Sequence, residues 1–573
     1  MKKILSLSVA AALAMGFAAC SSEDVPQPQN NEEKGIGAYY QLTFTMPTSS
    51  NLSRADYDAD QAESSNEYVL GQDSEYKVNK VYLYFFKEDG TLQKIKTDEN
   101  ATTESNYAEY GVIQVTDGTT TEYQKTDETY GYSDNNLGKT WSTDIKQIPY
   151  GLSAETHYHV YALCNTPYTG AISTEEDLLN SQLTFVEPTD KGSDGKEIGI
   201  PMAARSVKGK VYADLYATVD NVKTNPARLD YEVERSYARI AFTDKTFTVP
   251  LYNTLIESAQ KEIGKVTIIA YQVFNQSKDY YTYRHVGNID ASTFAPSFSD
   301  DAITYYDSEN TLIPGYKTVT FGPITTANPY VIDPNTSKKT TTTLFTDFDV
   351  PFSGLTSLPL TAIDEDYYEG WYRMQSADDN GPKSIEYVAE NCMQTAAQKK
   401  AQSTGIIFCV HLEPTTVVVD AKGTTATPQP GQSLYYRDGI FYSSLDATGL
   451  TDLGLNKTNL SEYGVRFFKY GYAYYEYYIR HLNNGNNNVM GQMEFAIVRN
   501  NSYELHVDAV AMSPYSKLPG DEVPDPTDPD PKDPIDEDKP NGNDDDESAK
   551  MYMQIDVTVR PWIVRTNNMT LGH

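Results

Sequence analysis

Residues 551–564 read MYMQIDVTVRPWIV. Met551, Met553, Ile555, Val557 and Val559 alternate with Tyr552, Gln554, Asp556, Thr558 and Arg560. Period-2 alternation is the mark of a strand with one buried face. Immediately before it lies PGDEVPDPTDPDPKDPIDEDKPNGNDDDE, residues 519–547, which has almost nothing to bury. A strand that needs burial, carried on a long acidic leash, is built to be donated, and another copy of the same chain is one acceptor. The leash 519–549 holds 13 Asp+Glu against 2 Lys. At about 3.3 Å per extended residue it reaches tens of ångströms. Its charge discourages collapse onto an acidic body.

The chain as a whole is acidic. Its 573 residues carry 46 Lys+Arg against 80 Asp+Glu, a net charge of −34. That balance argues against nucleic acid as a partner, since its recognition needs a basic stripe, and against electrostatic docking on anionic lipid. The length exceeds one ordinary core, so two or more domains are expected. The 46 Tyr, with frequent Thr and many Gly, Asn and Asp clusters, favour strands and turns. The expected fold class is mainly β with few short helices. Cys20, Cys164, Cys392 and Cys409 lack the spacing of a zinc site. Cys164 and Cys409 lie in apolar strand-like runs and read as buried free thiols, with one disulfide among the last three cysteines left open.

The N-terminus has the form of an export signal. Lys2 and Lys3 precede a short apolar run, Ile4 to Phe17, too short to span a bilayer. The run ends Phe17-Ala18-Ala19-Cys20. Small residues before a cysteine resemble a bacterial lipobox, in which Cys20 is lipidated; simple secretory cleavage near Ala19 is the alternative. The polar, acidic segment after Cys20 resembles the surface-export tether of Bacteroidetes lipoproteins. A second alternating strand follows at 38–47, with Tyr40, Leu42, Phe44 and Met46 on one face. It runs into the polar stretch TSSNLSRADYDADQAESSN, the kind of exposed loop that proteases nick. Arg54 is the only basic residue there and precedes Ala55. A cut between them would release the 38–47 strand together with the anchor; an uncut loop with a solvated Arg is the other reading.

Between the termini, many short apolar runs separated by turn signals read as β-sandwiches, with a boundary near 225–230. TEEDLL, 174–179, reads as a short helix capped by Ser173 or Thr174. Ile385, Val388, Ala389 and Cys392 have helical spacing within 385–401, although the first half reads equally as extended. Asn500-Asn501, between two alternating runs, predicts a hairpin. Catalytic constellations are not found. His157 and His159 share a strand face without a third ligand nearby; Gly138-Lys139-Thr140 lacks the first glycine of a phosphate loop; Asp364, Glu365 and Asp366 lack calcium-loop spacing. No catalytic residue, metal ligand or cofactor is assigned. The aromatic stretch Tyr463–Tyr478 is the best candidate for a binding surface, weighed against a simple core strand.

The lipobox, the strand ahead of Arg54-Ala55, VYALCN (160–165), VERSYARIAF (233–242), YQVFNQSKDYYTYRHV (271–286), YVAEN (387–391) and VTVRPWIVRTNN (557–568) occur in one order. Together they resemble the Bacteroidales type V pilins, particularly shaft subunits of the short, or minor, fimbria. The resemblance implies two tandem transthyretin-like β-sandwiches. The expected divisions are a signal peptide at 1–19, a lipidated tether and propeptide at 20–54, an N-terminal sandwich at 55–228 and a C-terminal sandwich at 229–573. It further implies an outer-membrane lipoprotein precursor lipidated at Cys20 and an arginine-specific protease cutting between Arg54 and Ala55. Departure of the first strand (Tyr40, Leu42, Phe44, Met46) then opens a groove for a neighbour's donor strand (Met551, Met553, Ile555, Val557, Val559). The implied partners are other copies of the chain, accessory anchor and tip pilins, and that protease; the implied place is a fimbrium on the cell surface, supporting adhesion. Burying five apolar residues supplies a gross gain on the order of 10 kcal/mol, offset in part by ordering the tail. A tip or anchor pilin of the same system, and a glycan-binding surface lipoprotein using Tyr463–Tyr478, are the competing expectations.

Overall fold

The structure, a computed structural model, describes residues 38–45, 69–70, most of 73–287, 330–339, most of 347–512, and 553–563. The expected mainly β fold is borne out. In chain order come β1 (Tyr39–Thr45), β2 (Val69–Leu70), β3 (Val81–Lys87), β4 (Thr120–Gln124), β5 (Leu137–Ser142), β6 (Lys146–Gln147) and β7 (Thr156–Cys164). After helix α1 (Glu175–Leu179) come β8 (Met202–Ala204), β9 (Ala213–Ala217) and β10 (Ala227–Arg235). Then follow β11 (Ala238–Phe242), β12 (Thr248–Tyr252), β13 (Glu262–Phe274), β14 (Ile385–Val388), β15 (Gly405–Pro414), β16 (Tyr472–Tyr478), β17 (Asn501–Ala511) and β18 (Met553–Ile563).

The first sheet joins β3, β7, β8, β9, β10, β1, β5, β6 and β4. Its strands form because their apolar residues alternate or run together: β9 buries Ala213, Leu215 and Ala217 and exposes Asp214 and Tyr216. The sheet closes over one core containing Leu42, Phe44, Trp141, Val160, Leu215, Leu229 and Tyr231. Across that core the Tyr231 hydroxyl donates to Val160 O at 2.7 Å, so its polar tip is satisfied. The predicted helix α1 is capped by Thr174, whose hydroxyl accepts from Asp177 N–H while the Asp177 carboxylate accepts from Thr174 N–H, a reciprocal capping box.

The second sheet has its own core, with Ile240, Phe242, Val266, Phe408, Val410, Tyr475, Leu505 and Ile555. β13 pairs antiparallel with β12 and β15, and β15 pairs with β16. β17 pairs in parallel with β11 and β12 and antiparallel with β18. The passage between sheets falls at Ser236 and Tyr237. The sequence reading set the boundary at 228/229, which lies inside β10, and Leu229, Tyr231 and Val233 of that strand all belong to the first core. A five-stranded sheet (Val417–Val418, Thr425–Ala426, Leu434–Arg437, Ile440–Tyr442 and Arg466–Phe468) is inserted between β15 and β16.

Two local expectations are corrected. Residues 385–388 form strand β14 on β11, and 395–397 only a 3-10 turn, so the helix over 385–401 is absent. Pairing with a buried strand overrode a helical spacing that the alternation of Glu386 and Val388 also satisfied. Asn500 has the positive φ expected of a turn, at 58°, but the strand after it is not returned on 494–499. β17 pairs instead with β11 and β18, while Ile497 makes an isolated bridge with Asn391. The three cysteines among the described residues, Cys164, Cys392 and Cys409, are buried and form no disulfide. Burial pushes the Cys164 and Cys409 thiols up to about 12.

Candidate functional site

β1 is an interior strand of the first sheet. One edge pairs in parallel with β10, from Tyr40↔Ala227 to Thr45↔Glu232. The other pairs antiparallel with β5 and β6. Leu42 N–H donates to Thr143 Oγ1 at 3.1 Å, and Thr143 N–H returns to Leu42 O at 3.0 Å. Tyr39 N–H donates to Asn221 O at 2.6 Å, and Ile148 N–H to Ala38 O at 3.0 Å. Gln41 is gripped from both sides, by Arg228 and by the Thr143 carbonyl. Tyr40, Leu42 and Phe44 face the core and are buried, as their alternation predicts. Phe44 stacks on Tyr231 with centroids 5.4 Å apart. Removing β1 would unpair two strand edges and vacate three apolar pockets. The three side chains are worth roughly 1.5–3 kcal/mol each when buried, and unpaired buried backbone adds to the loss.

β18 lies on its own chain. It runs antiparallel along β17, with Met553 opposite Val510, Ile555 opposite Val507, Val557 opposite Leu505 and Val559 opposite Tyr503. Ile555, 7% exposed, enters the second core, and its carbonyl accepts from the Tyr477 hydroxyl at 3.4 Å. On its other edge β2 pairs in parallel, Val69↔Trp562 and Leu70↔Ile563. From Met553 to Pro561 no further strand among the described residues covers that edge. β1 and β18 thus each have a parallel neighbour on one edge and antiparallel pairing on the other, but β1 is covered along both edges and β18 meets only the two residues of β2 on its second. Cys20, Met46, Arg54, Ala55 and Met551 lie outside the described residues.

The segment that starts with β2 is anchored by a group the sequence reading missed. Glu75 is buried, and its carboxylate accepts from Tyr387 Oη at 2.7 Å and from the Arg239 guanidinium at 3.1 Å. Arg235 Nε donates to the Glu75 carbonyl at 2.9 Å. Burial pulls Arg235 down to about 10, with Glu75 opposing the shift. A second buried pair, Arg499 with Glu390 at 2.7 Å, lies just before β17 and just after β14. The visible hint was charge inside apolar strands, Arg235 and Arg239 in VERSYARIAF.

The other sequence candidates resolve as structural. In the Tyr463–Tyr478 stretch, Phe467, Phe468, Tyr474, Tyr475, Tyr477 and Tyr478 are buried and Tyr472 is half-buried, leaving Tyr463 and Tyr470 at 40% and 45% exposed. His157 stacks on Tyr216 and His159 on Tyr212, while His159 also pairs with Glu175. Lys139 and Thr140 lie within strand β5, away from any helix start. Asp364, Glu365 and Asp366 sit exposed in a turn. Among the described residues there is no cluster of three metal-ligating side chains.

Buried carboxyl groups give one measurable pH signature. Burial raises Glu386 to about 8, with the Tyr271 hydroxyl opposing and Glu187 adding to the shift. Burial likewise raises Glu187 to about 7, helped by Asp190 and Asp349. A carboxyl raised in the folded state holds a proton that the unfolded chain releases near 4.5. Its stabilising contribution is therefore full below that pH and is lost as pH rises through the folded value. Relative to wild type, Glu386→Gln is expected to gain stability between pH 5 and pH 9, by up to roughly 4 kcal/mol. Urea unfolding across that range checks it; parallel wild-type and variant curves contradict it.

Residues 466–568 match the family model described as "Major fimbrial subunit protein type IV, Fimbrillin, C-terminal". The matched span takes in β16, β17 and the terminal strand β18. A comparison with curated protein sequences finds no match. Similar solved structures include a fimbrilin from Porphyromonas gingivalis W83, 13% identical, covering 94% of this chain and 100% of that one, with a TM-score of 0.38. A putative cell adhesion protein from Parabacteroides distasonis ATCC 8503 is 12% identical, covering 93% and 99%, TM-score 0.37. The tip fimbrial protein Mfa3 from Porphyromonas gingivalis is 8% identical, covering 92% and 99%, TM-score 0.31. The family match supports a fimbrial subunit as the class of protein, in agreement with the type V pilin resemblance.

Proposed function

We propose that this chain is the shaft subunit of a fimbrium. It is exported as a lipoprotein through Cys20, cut between Arg54 and Ala55, and polymerised by seating the terminal strand of one copy where β1 leaves the next. The observation that carries the reading is the position of β1. It is paired on both edges inside the first sheet, yet Arg54 lies in the 23 residues, 46–68, that join it to β2. One cut there detaches an interior strand and leaves a slot with two open edges. The terminal strand suits the slot: its residues alternate, it pairs with one parallel and one antiparallel neighbour on its own chain, and a leash precedes it. Strand addition of this kind restores the ladder while alternate side chains fill pockets. The contact joins different surfaces of two copies and does not close, so it grows a filament. Anchor and tip pilins are the expected accessory partners, an Arg-specific protease the processing enzyme, and the cell surface the site of assembly. The divisions 1–19 and 20–54 belong to this reading, with the N-terminal sandwich beginning at 55 and passing to the C-terminal one at Ser236–Tyr237 instead of at 228/229.

Arg54→Ala tests it. The variant is expected to accumulate as a folded monomer that keeps residues 38–45, with polymer lost from the cell surface by at least about tenfold, the ratio that about 1.4 kcal/mol produces. Fibres from Arg54→Ala at wild-type yield would overturn the reading.

A further inference from the structure

Beside the end of β14, Lys339, Asp333 and Asn391 meet out of reach of solvent. The Lys339 and Asp333 side chains are both 0% exposed, and Asn391 is equally buried. Lys339 Nζ donates to Asp333 Oδ2 at 2.8 Å, to Asn391 Oδ1 at 2.6 Å and to Cys392 O at 3.2 Å. The orientation of the Asn391 amide is set by its nitrogen. Nδ2 donates to Asn275 O at 3.1 Å, Gln402 O at 2.8 Å and Thr404 Oγ1 at 2.9 Å, so the carbonyl end faces the lysine. Asp333 is fixed as well. Its Oδ2 accepts from Cys392 N–H at 2.5 Å and its Oδ1 from Asn335 N–H at 2.7 Å.

An amine, a carboxylate and an amide carbonyl are thus held in contact in a buried site. A desolvated lysine amine is a competent nucleophile once it loses its proton. A carboxylate in hydrogen-bond contact is placed to take that proton. Fixed proximity replaces the encounter that makes such an attack slow in water. Exclusion of water also removes hydrolysis as a competing reaction.

We propose that Lys339 and Asn391 join in an intramolecular amide bond, with Asp333 as the proton carrier. The Nζ–Cγ bond forms and the Cγ–Nδ2 bond breaks. Two of the three protons on the Lys339 ammonium are lost; Asp333 relays them to the departing Nδ2, which leaves as ammonium. One proton stays on the new amide nitrogen, and nothing is oxidised or reduced. The bond would tie the 330–339 strap covalently to the segment between β14 and β15, closing a loop of the chain through the second sheet.

The intact mass of the purified chain tests this. The expected result is a deficit of about 17 Da, the ammonia expelled in the attack, carried by a branched peptide that links Lys339 to Asn391 after proteolysis. Asn391→Ala and Asp333→Asn are each expected to show the full mass of their own sequences. A wild-type mass equal to its sequence, with separate linear peptides bearing Lys339 and Asn391, would overturn the proposal and leave a buried ion pair. So would a deficit that maps to other residues. The wild-type peptide map decides the matter even if both variants fail to fold.

Discussion

Replacing Val557 and Val559 together with Asp is expected to abolish fibre formation while leaving a folded monomer. Both positions lie in the alternating face of β18, opposite Leu505 and Tyr503 of β17 in the unassembled chain. Losing two buried valines removes roughly 3–6 kcal/mol, a factor of about 10²–10⁴ in the affinity of the joint. Each Asp adds the cost of taking a carboxylate out of water. The monomer has less to lose. β18 lies at one side of the second sheet, flanked beyond β17 only by the two residues of β2, and the sheet behind it keeps the pairing of β17 with β11 and β12. The variant should therefore keep wild-type circular dichroism and a cooperative unfolding transition, yet give no fibres by electron microscopy. Normal fibres from the double variant would contradict strand donation.

Glu75→Ala is expected to destabilise the folded chain by about 3–5 kcal/mol, because it removes the nearest carboxylate from the buried Arg239 and the negative charge that offsets the burial of Arg235. The carboxylate of Glu75 meets Arg239 and Tyr387, and Arg235 lies against its backbone carbonyl. Arg235 and Arg239 are themselves buried, at the ends of β10 and β11 where the chain passes between sheets. Ser502 Oγ and Glu504 touch the Arg239 guanidinium but do not replace Glu75. The loss should appear as a lower urea midpoint. Because Glu75 follows β2 at a distance of only five residues, faster proteolysis near β2 and β18 should accompany it. A variant within about 1 kcal/mol of wild type, the range of exposed ion pairs, would show that the cluster is not the brace inferred here.

What was legible in the sequence follows the range of the forces involved. The alternation of Tyr40, Leu42 and Phe44 predicted their burial, and a cap at Ser173 or Thr174 predicted the start of α1, where Thr174 is the cap, because those signals lie within a few residues. The same local reading had a clear signal at Asp438-Gly439 that went unused. Both residues have positive φ, 50° and 83°, and join Leu434–Arg437 to Ile440–Tyr442 as a tight hairpin. The partner of β18 was not legible. Its pairing with β17 is set by shape and ladder across the intervening leash, and alternation names the buried face without naming the neighbour. The Glu75 cluster was hidden for the same reason, since its members Arg235, Arg239 and Tyr387 lie far along the chain. The helix over 385–401 failed because pairing with β11 set Glu386 and Val388 as the buried face of 385–388, a face that the spacing of Ile385, Val388, Ala389 and Cys392 does not mark.

The most direct measurement is the N-terminal sequence of the protein sheared from the cell surface, read alongside its migration after mild heating. The account predicts a start at Ala55, in material that runs as a ladder of oligomers and collapses to monomer on boiling. A start at lipidated Cys20, in material that runs only as monomer, would contradict it.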